Sequence, residues 1–91
     1  MFTPKVTPLR TPGGFAASNQ FIIEVEDGAT VFQSYRTIIA MRRGGEVVLD
    51  EFYWDYSRTT MKYLGQFLGE SAKEIRKKVA AGEYRLANLN G

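Results

Sequence analysis

Neither cysteine nor histidine occurs anywhere in the chain. Without cysteine there is no disulfide and no thiolate nucleophile, and without histidine the commonest proton carrier of general acid–base catalysis is missing. The two absences together remove the usual zinc ligand sets. Ten Asp and Glu remain for a hard cation, but they are scattered and form no D-x-D-x-D-G loop. The expectation is therefore a protein that is not an enzyme and uses no cofactor and no metal. Long apolar runs are lacking too. No stretch approaches the ~18 residues that would span a bilayer, so no membrane association is expected. The opening segment, MFTPKVTPLRTPGG, has no apolar core of the kind a secretory signal needs, which points to a cytoplasmic location.

Proline is scarce and confined. Its three copies, Pro4, Pro8 and Pro12, stand at every fourth position of the first twelve residues, ahead of Gly13 and Gly14. Each forces the residue before it toward extended geometry. Residues 1–19 accordingly read as an extended or flexible Thr/Pro arm, and residues 20–91 as a single domain. An apolar fraction of 44% and a charged fraction of 24% are those of a folded globular chain rather than a disordered one. The net charge of +2 is unevenly spread. Residues 1–57 hold five of the twelve basic residues and seven of the ten acids, so the excess of positive charge lies in residues 58–91. A basic half of this kind favours an anionic partner.

Periodicity divides the domain. Phe21, Ile23 and Val25 alternate with Ile22, Glu24 and Glu26, which is strand spacing, and Asp27-Gly28 is a hairpin turn signal. Residues 29–43 read as one long second strand, in which Tyr35 is expected beneath a helix. Gly44-Gly45 turns the chain into a third strand over 46–51. The three strands form an antiparallel meander, with no helical crossover among them to imply parallel pairing. The period then changes. Ser57 is a helix cap, and Met61, Leu64, Phe67 and Leu68 line one face of a helix over 58–68 that Gly69 ends. Gly65 inside it costs about 1 kcal/mol relative to Ala, which calls for a packing reason. Ser71 and Glu74 make a capping box for a second helix over about 72–81, with Ile75 and Val79 facing inward and Gly82 closing it. Residues 83–90 form a short final strand or extended tail. The expected fold class is α+β: a three-stranded antiparallel β-meander, two short helices and a short C-terminal strand.

Between meander and helices lies EFYWDYSRTT, residues 51–60. If the stretch is extended, Phe52, Trp54 and Tyr56 share one face, with Trp54 as the plug of a small core and Asp55 or Ser57 capping the first helix. Tyr53 and Tyr56 are also candidates for a partner surface, since exposed aromatics anchor interfaces. Tyr63 and Arg58 join them.

The helix pair has the spacing of a helix-turn-helix, with Gly65 where the helices cross and Gly69 in the turn. The stretch LGESAKEIRKKVAAGEYRL, residues 68–86, resembles small winged helix-turn-helix proteins of the excisionase type. That resemblance implies that Lys73, Arg76, Lys77 and Lys78 lie on or beside a recognition helix, with Arg85 in the wing, facing nucleic acid. Two positions depart from the pattern: Glu70 and Lys78 stand where apolar residues are usual. Over residues 19–90 the chain also resembles a family of small uncharacterised proteins encoded by bacteriophages, plasmids and other bacterial mobile elements. The motif W-D-Y-S-x-T-T-x-K-Y-x-x-x-F-L-G-E, at 54–70, carries that resemblance. It implies a mobile-element origin, a location in the bacterial host cell, and action by binding. Two partners follow as alternatives, nucleic acid or a host defence protein of the kind a CRISPR inhibitor blocks, and a homodimer is compatible with either. Single-strand binding on the sheet, through Tyr35, Arg36, Arg42 and Arg43, is a third arrangement.

Overall fold

The computed structural model describes residues 4–91, which form one six-stranded sheet and two helices. Residues 1–3 of the expected arm lie outside the described residues. The strands are β1 (Lys5–Arg10), β2 (Ala16–Glu24), β3 (Thr30–Ser34), β4 (Thr37–Arg43), β5 (Glu46–Asp50) and β6 (Arg85–Ala87). The helices α1 (Arg58–Leu68) and α2 (Ala72–Ala80) lie between β5 and β6. Strand order in the sheet follows the chain, β1-β2-β3-β4-β5-β6. The α+β class stands, but the sheet has six strands where the sequence suggested three and a tail.

Three physical causes account for the difference. First, the segment read as an arm is a strand from residue 5 onward. Lys5, Val6, Thr7 and Pro8 pair with Glu24, Ile23, Ile22 and Phe21. Proline is tolerated because β1 lies at the sheet edge, where half the backbone N–H groups need no ladder partner. The Thr11–Phe15 turn closes the hairpin with a 2.8 Å bond from Thr11 N–H to the Phe15 carbonyl. Second, the long strand expected over 29–43 is two strands joined by Tyr35-Arg36. Tyr35 takes φ 55°, left-handed and unusual for an aromatic. Its N–H donates to the Asn19 carbonyl at 2.7 Å, and its own carbonyl accepts from Gln33 Nε2 at 2.7 Å. Neither bond is visible in a Tyr-Arg dipeptide, which carries no turn chemistry of its own. Third, β5 and β6 pair in parallel, Val48 with Arg85 and Leu49 with Leu86. The two helices are the crossover such pairing requires. The expectation that no parallel pairing occurs fails because the helices were placed after the sheet and not within it.

The helices follow the sequence closely. Ser57 caps α1, its hydroxyl accepting from Thr60 N–H at 3.1 Å. Gly69 ends that helix at φ 71°, a conformation open to glycine at little cost. The Ser71–Glu74 capping box forms as expected at the start of α2. Leu64 and Ile75 press onto the inner row of the sheet, where Phe32, Ala40 and Leu49 are wholly buried. Phe32 stacks on Phe67 with ring centroids 5.8 Å apart. Trp54 joins this core, as its role of plug demands. The opposite face of the sheet carries a cross-strand row, Val6, Ile23, Val31, Met41 and Val48, that is separate from the core. No helix of the described residues is long and apolar enough to cross a membrane.

Candidate binding groove

The strand β5 stops at Asp50, and the aromatic stretch after it is a series of turns rather than extended chain. Asp50 causes this. Its side chain is fully buried, and its Oδ2 accepts from the N–H groups of Phe52 and Tyr53 at 3.1 and 3.0 Å. Its Oδ1 accepts from Leu89 N–H at 2.9 Å and from Asn90 Nδ2 at 3.0 Å. The strand alternation expected for 52–56 therefore does not exist. Trp54 alone turns inward, while Phe52 and Tyr56 are exposed and Tyr53 lies at the margin. Burial pushes the Asp50 carboxyl up, but its four donors outweigh that and hold it below the ordinary 3.8.

The turns place Tyr53 and Tyr56 side by side, ring centroids 5.8 Å apart, against the β3–β4 turn and the start of α1. Between these elements runs a groove of about 390 Å³. Tyr35, Tyr53 and Tyr56 form its rim. Ile39 and the hydroxyl side chains of Ser34, Thr37, Ser57, Thr59 and Thr60 make the rest. No charged side chain lines it. Tyr35 is exposed at 62%, not beneath a helix, because its left-handed turn swings it to the groove's mouth. Arg36 is exposed beside it and forms no ion pair among the described residues.

The helix pair has a different character. Arg76 lies 3.5 Å from Asp55, with its guanidinium 5.6 Å from the Trp54 ring centre. Arg85 bonds Glu46 at 2.7 Å across the β5–β6 pairing. Lys78 pairs with Glu70, and Tyr84 donates its hydroxyl to the same carboxylate. The two positions that depart from the helix-turn-helix pattern thus satisfy one another: an ion pair stands where two apolar side chains would meet. Burial raises the Glu70 carboxyl, but Lys78 and Tyr84 more than offset this and hold it below its ordinary value. The Lys78 ammonium is held up by Glu70, and burial with the Glu70 bond raises the Tyr84 hydroxyl. Only Lys73 and Lys77, of the five expected cations, are exposed without an ion pair among the described residues. Replacing Glu70 by Gln should cost about 1 kcal/mol in chemical denaturation, since a neutral amide bonds Lys78 and Tyr84 more weakly.

Of the aromatic candidates, Tyr53 and Tyr56 meet in the groove. Tyr63 is half-buried against the core, and Arg58 points into a separate hollow shared with Asp55 and Arg76. Arg42 and Arg43 are also engaged. Arg42 lies 4.9 Å from the Phe67 ring centre, and Arg43 pairs with Asp27. Ser34, Thr37 and Thr59 were not singled out in the sequence. Scattered hydroxyls carry no signal until a turn gathers them. Among the described residues no three acids lie close enough to hold a metal ion.

The model of a family described as "Family of unknown function (DUF8033)" matches residues 7–82. The chain belongs to that family. The match begins within β1 and ends after α2, so the groove and both helices lie inside it. No curated protein and no solved structure matches the chain.

Proposed function

We propose that the chain is a non-catalytic binding protein of a bacteriophage or other mobile element, acting in the bacterial host cytoplasm, and that it holds single-stranded nucleic acid in the tyrosine groove. One observation carries the reading: three exposed tyrosines ring a groove whose lining contains no carboxylate. Aromatic side chains stack bases with little regard to sequence, at ~1–3 kcal/mol per base. A carboxylate-free wall spares the phosphates repulsion, and the unpaired Arg36 sits at the mouth. The expected helix-turn-helix interface is less favoured, because Arg76, Lys78 and Arg85 already face carboxylates. The motif W-D-Y-S-x-T-T contributes Tyr56, Ser57, Thr59 and Thr60, so the mobile-element resemblance and the groove fall on the same residues.

The test is fluorescence anisotropy with labelled single-stranded oligothymidine, from about 50 to 200 mM salt. The variant Tyr53→Ala/Tyr56→Ala should weaken binding about tenfold or more. Lys73→Gln/Lys77→Gln should change it much less. The reverse ranking, with preference for duplex, would return the site to the helix pair. No binding to either strand form, together with capture of a purified host defence nuclease that the tyrosine variant loses, would make the groove a protein-docking surface.

A further inference from the structure

The groove runs up to the N-terminus of α1, an eleven-residue helix with no acidic side chain in its first turn. Acids normally collect there, because the unpaired N–H groups and the helix dipole favour negative charge. Ser57 occupies the Thr60 N–H through its hydroxyl and the Met61 N–H through its carbonyl. The N–H groups of Arg58 and Thr59 donate to no group among the described residues. A second feature lies in the groove wall and is independent of the helix. Ser34, only 8% exposed, lines the groove, and its hydroxyl has no hydrogen-bond partner among the described residues. A hydroxyl this enclosed ordinarily finds a partner within the protein. The nearby carboxylate of Asp55 is drawn toward Arg76 and forms no part of the lining.

We propose that this end of the groove is a phosphate seat, in which the Arg58 and Thr59 N–H groups and the Ser34 hydroxyl hold a phosphate of the bound strand. The inference rests on the single-strand reading and gives it a polarity: bases on the tyrosines, a phosphate at the helix end. Helix N-termini bind phosphate through these same two properties, free N–H groups and a positive dipole end. A terminal phosphomonoester and a bridging phosphodiester share this chemistry.

The test uses Thr59→Glu. The new carboxylate sits in the first turn, where it stabilises the helix, yet it fills the seat with negative charge. Thr59→Glu should weaken oligothymidine binding about tenfold, and Ser34→Ala should weaken it by a smaller factor. Backbone amide resonances of Arg58 and Thr59 should shift in a saturable way when inorganic phosphate is added to the wild type, and not in Thr59→Glu. Tighter binding of 5′-phosphorylated than of 5′-hydroxyl strands would place a terminal phosphate in the seat; equal binding would place a bridging one. Wild-type affinity in Thr59→Glu, with Tyr53→Ala/Tyr56→Ala still impaired, would overturn the seat and leave the groove reading intact. Phosphate-induced shifts with no binding of any strand would support the seat and overturn the single-strand reading. Absence of those shifts in the wild type would overturn the seat whatever the strands do.

Discussion

Replacing Asp50 by Asn should lower the stability of the fold by about 3 kcal/mol, and by Ala at least as much. The carboxylate is fully buried and accepts four hydrogen bonds. Asn supplies one oxygen of the two, so on one side an NH₂ group would confront two N–H donors. Each donor left without a partner costs ~1–3 kcal/mol. For a domain of this length a loss of about 3 kcal/mol lowers Tm by roughly 15 °C, a large part of a total stability of about 5–15 kcal/mol. Thermal melts followed by tryptophan fluorescence would measure it, since Trp54 lies in the core just beyond the turn that Asp50 holds.

The same residue sets an acid limb. Its folded-state pKa is depressed below 3.8. The carboxylate therefore contributes its full stability above the unfolded value, and that contribution is lost as pH falls through the folded one. Glu70, also depressed, adds in the same direction and over a neighbouring range, since its ordinary value is 4.5. Wild-type denaturation midpoints should fall steeply below about pH 4. Asp50→Asn should start lower and fall less, because it has no proton to take up at that site. An equal slope in both proteins would mean that other carboxylates govern the acid limb.

Asp50 also explains why part of the groove could not be read in advance. Local chemistry announced the helices: Ser57, Gly69 and the Ser71–Glu74 box each act within four residues of themselves, and each appears where expected. The aromatic stretch depends instead on an acid whose partners at 89 and 90 lie 39 and 40 residues away. Asn90 similarly replaces a missing strand partner. It accepts from Ile38 N–H at 2.8 Å and donates to the Ile38 carbonyl at 2.9 Å, fifty-two residues away. The turn at Tyr35 needs the Asn19 carbonyl, supplied by the strand hydrogen-bonded to β3. Tyr53 and Tyr56 were candidates on composition alone. What gathered them with Tyr35 and five hydroxyls was a set of long-range bonds that no local pattern encodes. The basic helix shows the converse. Its charges were plain in the sequence, but their partners Asp55, Glu70 and Glu46 stand on other elements, so their neutralisation was not.

Gly65→Ala should destabilise the protein by about 1–2 kcal/mol, although the same change in an exposed helix gains about 1 kcal/mol. The reason is steric and specific. A Cβ on Gly65 would stand 2.7 Å from the Glu70 carbonyl oxygen, closer than such atoms approach. Gly65 is the residue over which the chain folds back: its carbonyl accepts from both Gly69 N–H at 2.8 Å and Glu70 N–H at 3.0 Å. An exposed turn would yield by a few tenths of an ångström and recover the propensity gain. This turn is held from the other side, because the Glu70 side chain is clamped by Lys78 and Tyr84. The clamp makes a second expectation. In a Glu70→Ala background the turn is free to move, so Gly65→Ala should cost less there, with a coupling of about 1 kcal/mol in a double-mutant cycle. Additive effects would mean that the backbone path itself fixes the turn. A Gly65→Ala protein more stable than wild type would mean that the turn yields even with the clamp in place. The three residues then act as one device. The ion pair that displaces apolar contacts from the helix pair also pins the backbone against which Gly65 must remain without a side chain.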